Sequence, residues 1–454
     1  MIEAALSDAA DAMRGSLDGA ERRFRGVSTD TRSLRSDELY FALQGPNFDG
    51  HSFVPDAADK GAAGVVVSKT VDCAIPQIRV DDTLTALGDL AADWRERMPA
   101  RVVGLTGSNG KTTLKEMIAS CLSQRATTIA TAGNLNNEIG VPLMLLRLAP
   151  EHEFAVIEMG ANHIGEIAYL TDRVAPHVVV ITNAGPAHLE GFGSLDGVAR
   201  GKGEILQASP RPRFAVLNAD DHYFDFWREL VADIPMLSFG TGDDADFRAE
   251  DIRPKPDGLE FELCFESHRV PIRLGLPGRH NALNAAAAGA VARGLDLSPE
   301  EVQRGLNAVS PVSGRLNHGA GPGGVRLIDD SYNANPTSVQ AAADYLGAQD
   351  AEGWLILGDM AELGDDADDL HRSTGEAIRE SGVTRVFAVG RHAQDVVAGF
   401  GSGGNAFDDV ETLVDALRDE LDKHAPANLL VKGSRSMRME RVLDALRVDS
   451  GEVH

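Results

Sequence analysis

A glycine-rich loop between a strand and a helix constrains this chain more than any other feature of its sequence. Residues 107–113 read GSNGKTT; they follow the apolar run 102–105 and precede a helical pattern at 114–122. Backbone N–H groups at the start of such a helix bind polyphosphate. Lys111 supplies a mobile positive charge, and the Thr112 hydroxyl can bind Mg²⁺. The loop therefore predicts an α/β domain that binds a nucleoside triphosphate.

The loop departs from the strict Walker pattern, which requires glycine at the fifth position before Gly110. Leu105 occupies that position in this chain. A chance glycine turn before a helix is the alternative interpretation. The apolar run before the loop and the helical pattern after it favour the phosphate-binding interpretation.

Length and charge limit the possible classes of protein. A chain of 454 residues is too long for one ordinary core, so we expect two or three domains. The net charge of −26 repels nucleic acid and anionic membranes, so neither is an expected partner. No apolar run approaches the length of a membrane span, and the N-terminus has no signal-peptide pattern, which predicts a cytoplasmic protein.

The three cysteines, Cys73, Cys121 and Cys264, are widely spaced and lie in apolar surroundings. This pattern predicts buried free thiols and no disulfide framework.

The distribution of apolar runs predicts three blocks. Residues 1–100 alternate short strand-like pieces, at 39–43 and 64–67, with alanine-rich helical stretches. The block 101–313 has runs typical of a parallel sheet, at 102–106, 154–158, 178–182 and 214–217. The block 314–454 repeats a strand-then-helix order that predicts a second doubly wound domain, with strands at 325–328, 354–357, 386–389 and 429–431.

Three side chains beyond the loop are candidates for chemistry. Glu158 ends an apolar run of the central block, where a carboxylate can hold Mg²⁺ opposite Thr112. His188 follows the next run, and Lys202 comes fourteen residues later. A solvated strand-end acid, a structural histidine and a surface lysine are the corresponding structural alternatives.

Eight segments resemble the Mur ligase family across essentially the whole chain. They are GSNGKTTLKE at 107–116, GNLNNEIGVP at 133–142, EMGANHIGE at 158–166, ITNAGPAHLEG at 181–191, LPGRHNALN at 276–284, DDSYNANPTS at 329–338, LGDMAELG at 357–364 and VKGSR at 431–435. The segments GNLNN, DSYNANP and LGDMAELG are much more specific than the phosphate loop.

The resemblance implies an α/β fold of three domains, which we match to the three blocks. These are an N-terminal UDP-binding domain at 1–100, a central P-loop ATPase domain with a mostly parallel sheet at 101–313, and a C-terminal Rossmann-like domain at 314–454. It further implies a ligase of peptidoglycan synthesis. Such a ligase phosphorylates the terminal carboxylate of UDP-MurNAc-tripeptide with ATP, and D-Ala-D-Ala then displaces phosphate from the acyl phosphate.

The resemblance also implies roles for individual residues. ATP phosphates are expected on Gly107, Ser108, Asn109, Gly110, Lys111, Thr112 and Thr113. The remaining ATP contacts are expected from Asn281, Arg315 and Asp330, the last after the first strand of the third domain. Two Mg²⁺ ions are expected, one on Thr112 and Glu158, the other on His188 and a carbamylated Lys202. The UDP-linked substrate is expected on Ser28, Thr31, Arg32, Asn134, Asn136 and Asn137.

Other interpretations stay open at this point. Another ligase of the same superfamily, adding a single amino acid or extending folate with glutamate, is one alternative. A nucleotide-dependent switch that does no amide chemistry is another. We expect a monomer whose third domain must close onto the second for catalysis, with Arg315 and Asp330 far from Lys111 before closure. The third residue of the peptide, diaminopimelate or lysine, is not readable from the sequence.

Overall fold

A computed structural model describes residues 1–231 and 233–447 of the chain. Residues 448–454 of the predicted C-terminal block therefore lie outside the described part. Three α/β units follow one another, each built around its own main sheet. The first unit contains β1 (Glu3–Ala5), α1 (Leu6–Ala12), β2 (Ser16–Asp18), β3 (Arg23–Arg25), β4 (Val27–Ser28), β5 (Leu39–Phe41), β6 (Gln44–Gly45), β7 (Phe48–Asp49), α2 (Val54–Asp59), β8 (Gly64–Val67), β9 (Gln77–Arg79) and α3 (Thr83–Glu96).

The main sheet of the first unit has the order β2-β9-β8-β5-β4. Strands β9, β8, β5 and β4 are parallel, and β2 is antiparallel to β9. Every residue of β8 is buried, as expected for a parallel strand covered on both faces. The predicted strand at 64–67 is confirmed, whereas the one predicted at 39–43 ends at Phe41.

The central unit carries the phosphate loop. Its strands are β10 (Arg101–Thr106), β11 (Thr128–Ala130), β12 (Phe154–Glu158), β13 (Val178–Ile181), β14 (Phe214–Asn218), β15 (Met236–Gly240), β16 (Phe247–Lys255), β17 (Gly258–Phe265) and β18 (His268–Leu274). Its helices are α4 (Lys111–Leu122), α5 (Gly140–Leu145), α6 (Glu166–Val174), α7 (Leu189–Phe192), α8 (Leu195–Gly203), α9 (Phe224–Leu230), α10 (Arg279–Gly294) and α11 (Pro299–Asn307).

The central sheet has the order β11-β12-β10-β13-β14-β15-β16-β17-β18. It is parallel from β11 to β16 and antiparallel from β16 to β18. The antiparallel end was not predicted from the sequence. In β18, exposed and buried residues alternate from Arg269 to Leu274, which is all of the strand but its first residue. The extension is thus half solvated and lacks the continuous apolar runs by which the parallel strands were predicted.

The third unit is a second parallel sheet with one antiparallel edge. Its elements are β19 (Asn317–Ala320), β20 (Arg326–Asp330), α12 (Pro336–Gly347), β21 (Gly353–Gly358), α13 (Ala367–Glu380), β22 (Arg385–Val389), α14 (Ala393–Phe400), β23 (Gly404–Phe407), α15 (Val410–Lys423), β24 (Asn428–Lys432) and α16 (Glu440–Leu446). The strand order is β19-β20-β24-β21-β22-β23. Strand β19, which is antiparallel, was not predicted. Asp330 is consequently the last residue of the second strand of this unit, and its expected place after the first strand was wrong.

Strand order places the candidate site residues at the edge of each sheet where the parallel strands have their carboxyl ends. Strand β10 lies between β12 and β13, so the chain leaves it at a switch point where neighbouring connections run in opposite directions. The carboxyl ends of these three strands lead into the phosphate loop, Glu158 and the loop that carries His188. In the third unit the carboxyl ends of β20, β24 and β21 lie side by side in the same way.

The structure tests the prediction for the three cysteines. Cys121 and Cys264 are buried free thiols as predicted, but Cys73 is only partly buried, because it lies in the loop between β8 and β9. Within residues 1–231 and 233–447, the structure has no helix that is both long enough and apolar enough to span a membrane.

Candidate active site

The phosphate loop is held in shape by its glycines. Gly110 is the N-cap of α4 and has φ of 80°, a left-handed conformation that favours glycine. A Cβ placed on Gly110 would lie 2.8 Å from Asn284 Oδ1 of α10. Glycine at position 110 therefore allows both this backbone conformation and the close packing of the loop against α10, and the loop leads directly into the N–H groups at the start of α4.

The loop after β13 supports the phosphate loop from one side. The Ser108 and Asn109 backbone N–H groups donate to Asn183 O at 3.0 Å and Asn183 Oδ1 at 2.9 Å. The Thr182 hydroxyl donates to Asn109 O at 2.7 Å, and the Ser108 hydroxyl donates to Gly185 O at 3.0 Å. These hydrogen bonds within the protein fix the conformation of the phosphate loop.

Lys111 lies folded over the loop that precedes it. Its Nζ donates to Gly107 O at 2.6 Å and Ser108 O at 3.3 Å. Burial lowers the pKa of Lys111, the nearby Glu158 carboxylate opposes this shift, and Arg315 adds to it. A cation held among backbone carbonyls at the start of a helix is suited to move onto a bound phosphate.

Glu158 presents one unpaired oxygen to this region. The side chain is 2% exposed, and its Oε1 accepts a hydrogen bond from Asn136 Nδ2 at 2.9 Å. Its Oε2 is buried without a hydrogen-bond partner among the described residues. A buried carboxylate oxygen without a partner is costly unless a cation or a proton occupies it. The donor set of Glu158 and the Thr112 hydroxyl fits Mg²⁺, which prefers hard oxygen ligands.

The third unit contacts the phosphate loop directly. Arg315 Nη2 donates to Thr112 Oγ1 at 3.1 Å, and the Arg315 guanidinium lies 4.5 Å from the centre of the Tyr332 ring. Asn335 Nδ2 donates to Asn109 Oδ1 at 2.8 Å. This structure therefore has the two units in contact, and the expected separation of Arg315 from the loop before closure stays a prediction.

His188 is a second point of contact between the units. It has φ of 57° and is the residue before α7. Its Nδ1 is hydrogen-bonded to the carboxylate of Glu362, which belongs to the loop after β21. This hydrogen bond lowers the pKa of Glu362.

Lys202 is buried in α8, contrary to the surface-lysine alternative. It is 1% exposed, its Nζ donates to Ala161 O at 3.3 Å, and it lies 4.9 Å from the centre of the Phe192 ring. Burial, reinforced by the charge of Lys111, lowers the pKa of Lys202 to about 7. A substantial fraction of this amine is therefore uncharged at neutral pH.

Two cavities meet at the phosphate loop. The larger has a volume of about 750 Å³. Its lining includes Lys111, Glu158, His188, Arg315 and Glu362, but not Lys202. The smaller, of about 390 Å³, lies on the α10 side of the loop and is lined by Thr113, Asn281 and Asp330 among others. Lys202 reaches the larger cavity only through its contact with Ala161, which lines it.

The remaining predicted residues divide into two groups. Asn134, Asn136 and Asn137 line the larger cavity. Asn136 is bonded to Glu158, and Asn137 Oδ1 accepts from Gly140 N at 2.9 Å, so both also have structural roles.

Ser28, Thr31 and Arg32 belong to the second group, because they line neither cavity. The Ser28 hydroxyl donates to Asp30 O at 3.0 Å, and the Arg32 guanidinium pairs with the Asp30 carboxylate at 2.7 Å. These bonds form a capped turn, and the structure does not bring this loop into the main site.

Several site residues were missed, although their segments had been noted. Lys432, buried in β24, donates to the carboxylate of Asp330 at 2.5 Å and to Asn333 O at 2.9 Å. Lys115 is 1% exposed and donates to Thr131 O at 2.6 Å, and the Thr131 hydroxyl accepts from the Glu158 backbone N–H at 2.9 Å. Glu362 and Asn335 lie in LGDMAELG and DSYNANP; those motifs were the available signal.

Comparison with known proteins decides the family. Three family models match: Mur ligase family, catalytic domain, at residues 23–95; Mur ligase middle domain, at 105–292; and Mur ligase, glutamate ligase domain, at 314–435. A protein of Escherichia coli (strain K12), named UDP-N-acetylmuramoyl-tripeptide–D-alanyl-D-alanine ligase, is 42% identical over 98% of this chain and 99% of its own length. The chain belongs to the Mur ligase family.

Solved structures of Mur ligases have the same fold. MurF from Acinetobacter baumannii is 37% identical, with a TM-score of 0.92, over 96% of this chain and 97% of that chain. MurF ligase from Thermotoga maritima, solved in complex with ADP, is 28% identical with a TM-score of 0.81, over 93% of this chain and 96% of that chain. The predicted family and the three-domain α/β fold are therefore confirmed. The limits at 100/101 and 313/314 stay predictions, and each segment matched by a family model lies within one predicted block.

Proposed function

We propose that this chain is the ATP-dependent ligase that joins D-alanyl-D-alanine to UDP-N-acetylmuramoyl-tripeptide in peptidoglycan synthesis. The products are UDP-MurNAc-pentapeptide, ADP and phosphate. The observation that carries the proposal is 42% identity over 98% of the chain to a protein of that name. The facing carboxyl ends of two parallel sheets, with Lys111, Glu158 and Arg315 between them, support the same activity.

The first chemical step transfers the γ-phosphoryl group of ATP to the terminal carboxylate of the tripeptide. A carboxylate oxygen forms the new P–O bond while the bond to ADP breaks. Both partners are anionic, so positive charge must neutralise them as they approach. Lys111 and Arg315 supply that charge, and the backbone N–H groups of the phosphate loop at the start of α4 hold the phosphates.

The second step forms the amide. The amine of D-Ala-D-Ala attacks the acyl carbon, the C–O bond to phosphate breaks, and the amine loses a proton. The carboxylate oxygen that received the phosphoryl group leaves with the phosphate. Phosphorylation thus turns a poor leaving group into a good one.

We assign the smaller cavity to the nucleoside of ATP, with Asn281 and Asp330 among its contacts. Lys432 holds the Asp330 carboxylate in place at 2.5 Å. The larger cavity then receives the phosphates and the peptide end of the acceptor, beside Asn134, Asn136 and Asn137. We assign the uridine diphosphate end to the first unit, at Ser28, Thr31 and Arg32.

Two divalent cations fit the donor atoms in and beside the larger cavity. The unpaired Oε2 of Glu158 and the Thr112 hydroxyl would hold one Mg²⁺. His188 and a carbamate on Lys202 would hold the other. Bound Mg²⁺ neutralises phosphate charge and lowers the cost of bringing two anions together.

Carbamylation of Lys202 is chemically reasonable at this position. An uncharged amine adds to CO₂ and releases a proton. The product is a carbamate, so an anionic oxygen ligand takes the place of a side chain that would otherwise carry a buried positive charge. The burial of Lys202 favours the uncharged amine that this addition requires. We further propose a monomeric protein that acts in the cytoplasm.

ADP release by the purified protein tests the activity. With UDP-MurNAc-tripeptide present, D-Ala-D-Ala should stimulate ADP release, and single amino acids should not. A panel of acceptors containing diaminopimelate or lysine at the third position should identify the natural peptide. Stimulation by a single amino acid, or by glutamate with a folate acceptor, would favour another ligase of the superfamily.

A further inference from the structure

Glu362 and His188 contact each other from different units of the molecule. His188 follows the central strand β13, and Glu362 follows β21 of the third unit, so 174 positions separate them in the sequence. The contact joins the Glu362 carboxylate to His188 Nδ1. Both residues line the larger cavity.

Both residues have unusual backbones. His188 has φ of 57° and Glu362 has φ of 62°, in the left-handed region that residues with side chains rarely adopt. Such a backbone is strained, and the strain persists only where the surroundings enforce it. Because two such residues contact each other between the units, we infer that the directions of the His188 and Glu362 side chains are important.

The loop that carries Glu362 is anchored to the third unit. The Met360 backbone N–H donates to Nε2 of His371, which is fully buried, at 2.9 Å. The Ala361 backbone N–H donates to the hydroxyl of Ser434, also buried, at 2.7 Å. The next residue, Glu362, is therefore anchored to the third unit.

A backbone hydrogen bond also joins this loop to the central unit. The Glu190 backbone N–H, in α7, donates to Glu362 O at 3.2 Å. Glu362 thus contacts the segment of His188 through both its backbone and its side chain. The carboxylate reaches His188 only while the two units are in contact.

A carboxylate on Nδ1 determines which imidazole nitrogen can bind a metal. It accepts a hydrogen bond from Nδ1–H, which leaves the lone pair on Nε2 and fixes the plane of the ring. Among the described residues, Nε2 of His188 has no hydrogen-bond partner. We propose that Glu362 is a positioning residue, which completes the second cation site on His188 only when the third unit lies against the central unit.

This inference rests on the proposed function and adds a linkage to it. If closure improves the site for the second divalent cation, that cation must in turn favour closure by the same factor. The chemistry would then be confined to the closed molecule, because the cation site and the ATP contacts of Arg315 form together.

Binding of Mn²⁺, measured by electron paramagnetic resonance with a non-hydrolysable ATP analogue, tests the inference without turnover. The variants are Glu362→Ala and the nearly isosteric Glu362→Gln. The control is Glu376→Ala, which changes an exposed glutamate on α13 of the same unit. The wild-type protein should bind two Mn²⁺ ions. Glu362→Ala should bind the first ion normally and the second about 10- to 100-fold more weakly.

The outcomes separate positioning from general damage. Normal binding of the first ion shows that a variant is folded, and Glu362→Gln should retain part of the affinity because its amide oxygen still accepts from Nδ1. Unchanged affinity for the second ion in Glu362→Ala would overturn the inference, as would an equal loss in Glu376→Ala or a wild-type protein that binds one ion only. D-Ala-D-Ala-stimulated ADP release by the wild-type protein tests the proposed function separately.

Discussion

The surroundings of Lys202 differ from those of an ordinary, solvent-exposed lysine. It is 1% exposed, and among the described residues its Nζ has one hydrogen bond, to Ala161 O at 3.3 Å. A buried cation beside Lys111 is unfavourable as it stands. The arrangement becomes reasonable if Lys202 carries a carbamate that faces a cation.

Replacing Lys202 by Ala should lower the rate of ADP release at least 100-fold, because a cation ligand is lost. Short carboxylic acids should restore part of the rate by occupying the missing position. The matched control is Lys255→Ala, which removes an exposed lysine paired with Glu260 at the far end of β16. Full activity of Lys202→Ala would show that Lys202 has no role in the reaction.

Gly110 gives a second prediction at the level of one residue. Gly110→Ala should weaken binding of an ATP analogue at least tenfold, because its Cβ would meet Asn284 Oδ1 at 2.8 Å and displace the loop. Gly382→Ala is the control: its φ is 88°, but no heavy atom lies within 4 Å of the added Cβ. It should cost about 1 kcal/mol of stability and leave nucleotide binding unchanged. Isothermal titration calorimetry compares the two, and equal losses would contradict the steric argument.

At the scale of elements, one histidine joins two parallel strands at their amino ends. His177, just before β13, accepts a hydrogen bond at Nδ1 from the Val102 backbone N–H of β10 at 2.9 Å. Arg95 of α3 lies 3.4 Å from the same nitrogen. Burial, then the charges of Arg95, Arg213 and Arg101, lower the pKa of His177 to about 4.

This shift predicts acid sensitivity. The folded pKa of His177 lies below its ordinary value of 6.5, so the unfolded chain binds more protons between the two values. The stability contributed by neutral His177 is complete above pH 6.5 and is lost as the pH falls towards 4. In His177→Asn the amide oxygen accepts from Val102 at every pH. Urea unfolding at pH 7.5 and pH 5 should therefore show a smaller loss of stability in the variant than in the wild type, and an equal loss would contradict this role.

The elements of the fold could largely be predicted from apolar runs. Strand β12 matches its prediction at 154–158, and β10 and β13 match to within one residue. Strands β16 to β18 were missed because a half-solvated antiparallel sheet shows only partial alternation. Strand β19 was missed for a related reason: three of its four residues are exposed, so it has no apolar run.

Individual residues of the candidate site could be predicted from the sequence, but the contacts between them could not. Glu158 could be placed because it ends a buried strand beside the phosphate loop. The contact of Arg315 with Thr112 spans 203 positions and that of Asn335 with Asn109 spans 226, so no local pattern contains them. Glu362 was missed for the same reason, since its partner lies in another unit.

At the scale of the whole molecule, catalysis should depend on contact between the central and third units. Arg315, Asn335 and Glu362 each reach across that interface. Small-angle X-ray scattering with an ATP analogue and UDP-MurNAc-tripeptide should therefore give a curve that agrees with this structure, and a larger radius of gyration without ligands. Curves that are indistinguishable with and without ligands would contradict the requirement for closure.

The transfer of oxygen tests the central claim most directly. UDP-MurNAc-tripeptide labelled with ¹⁸O in its terminal carboxylate is incubated with ATP, D-Ala-D-Ala and the wild-type protein, and the released phosphate is analysed by mass spectrometry. The acyl-phosphate route predicts one ¹⁸O atom in each phosphate, because the oxygen that accepts the phosphoryl group leaves with it. Unlabelled phosphate accompanying pentapeptide formation would contradict that route.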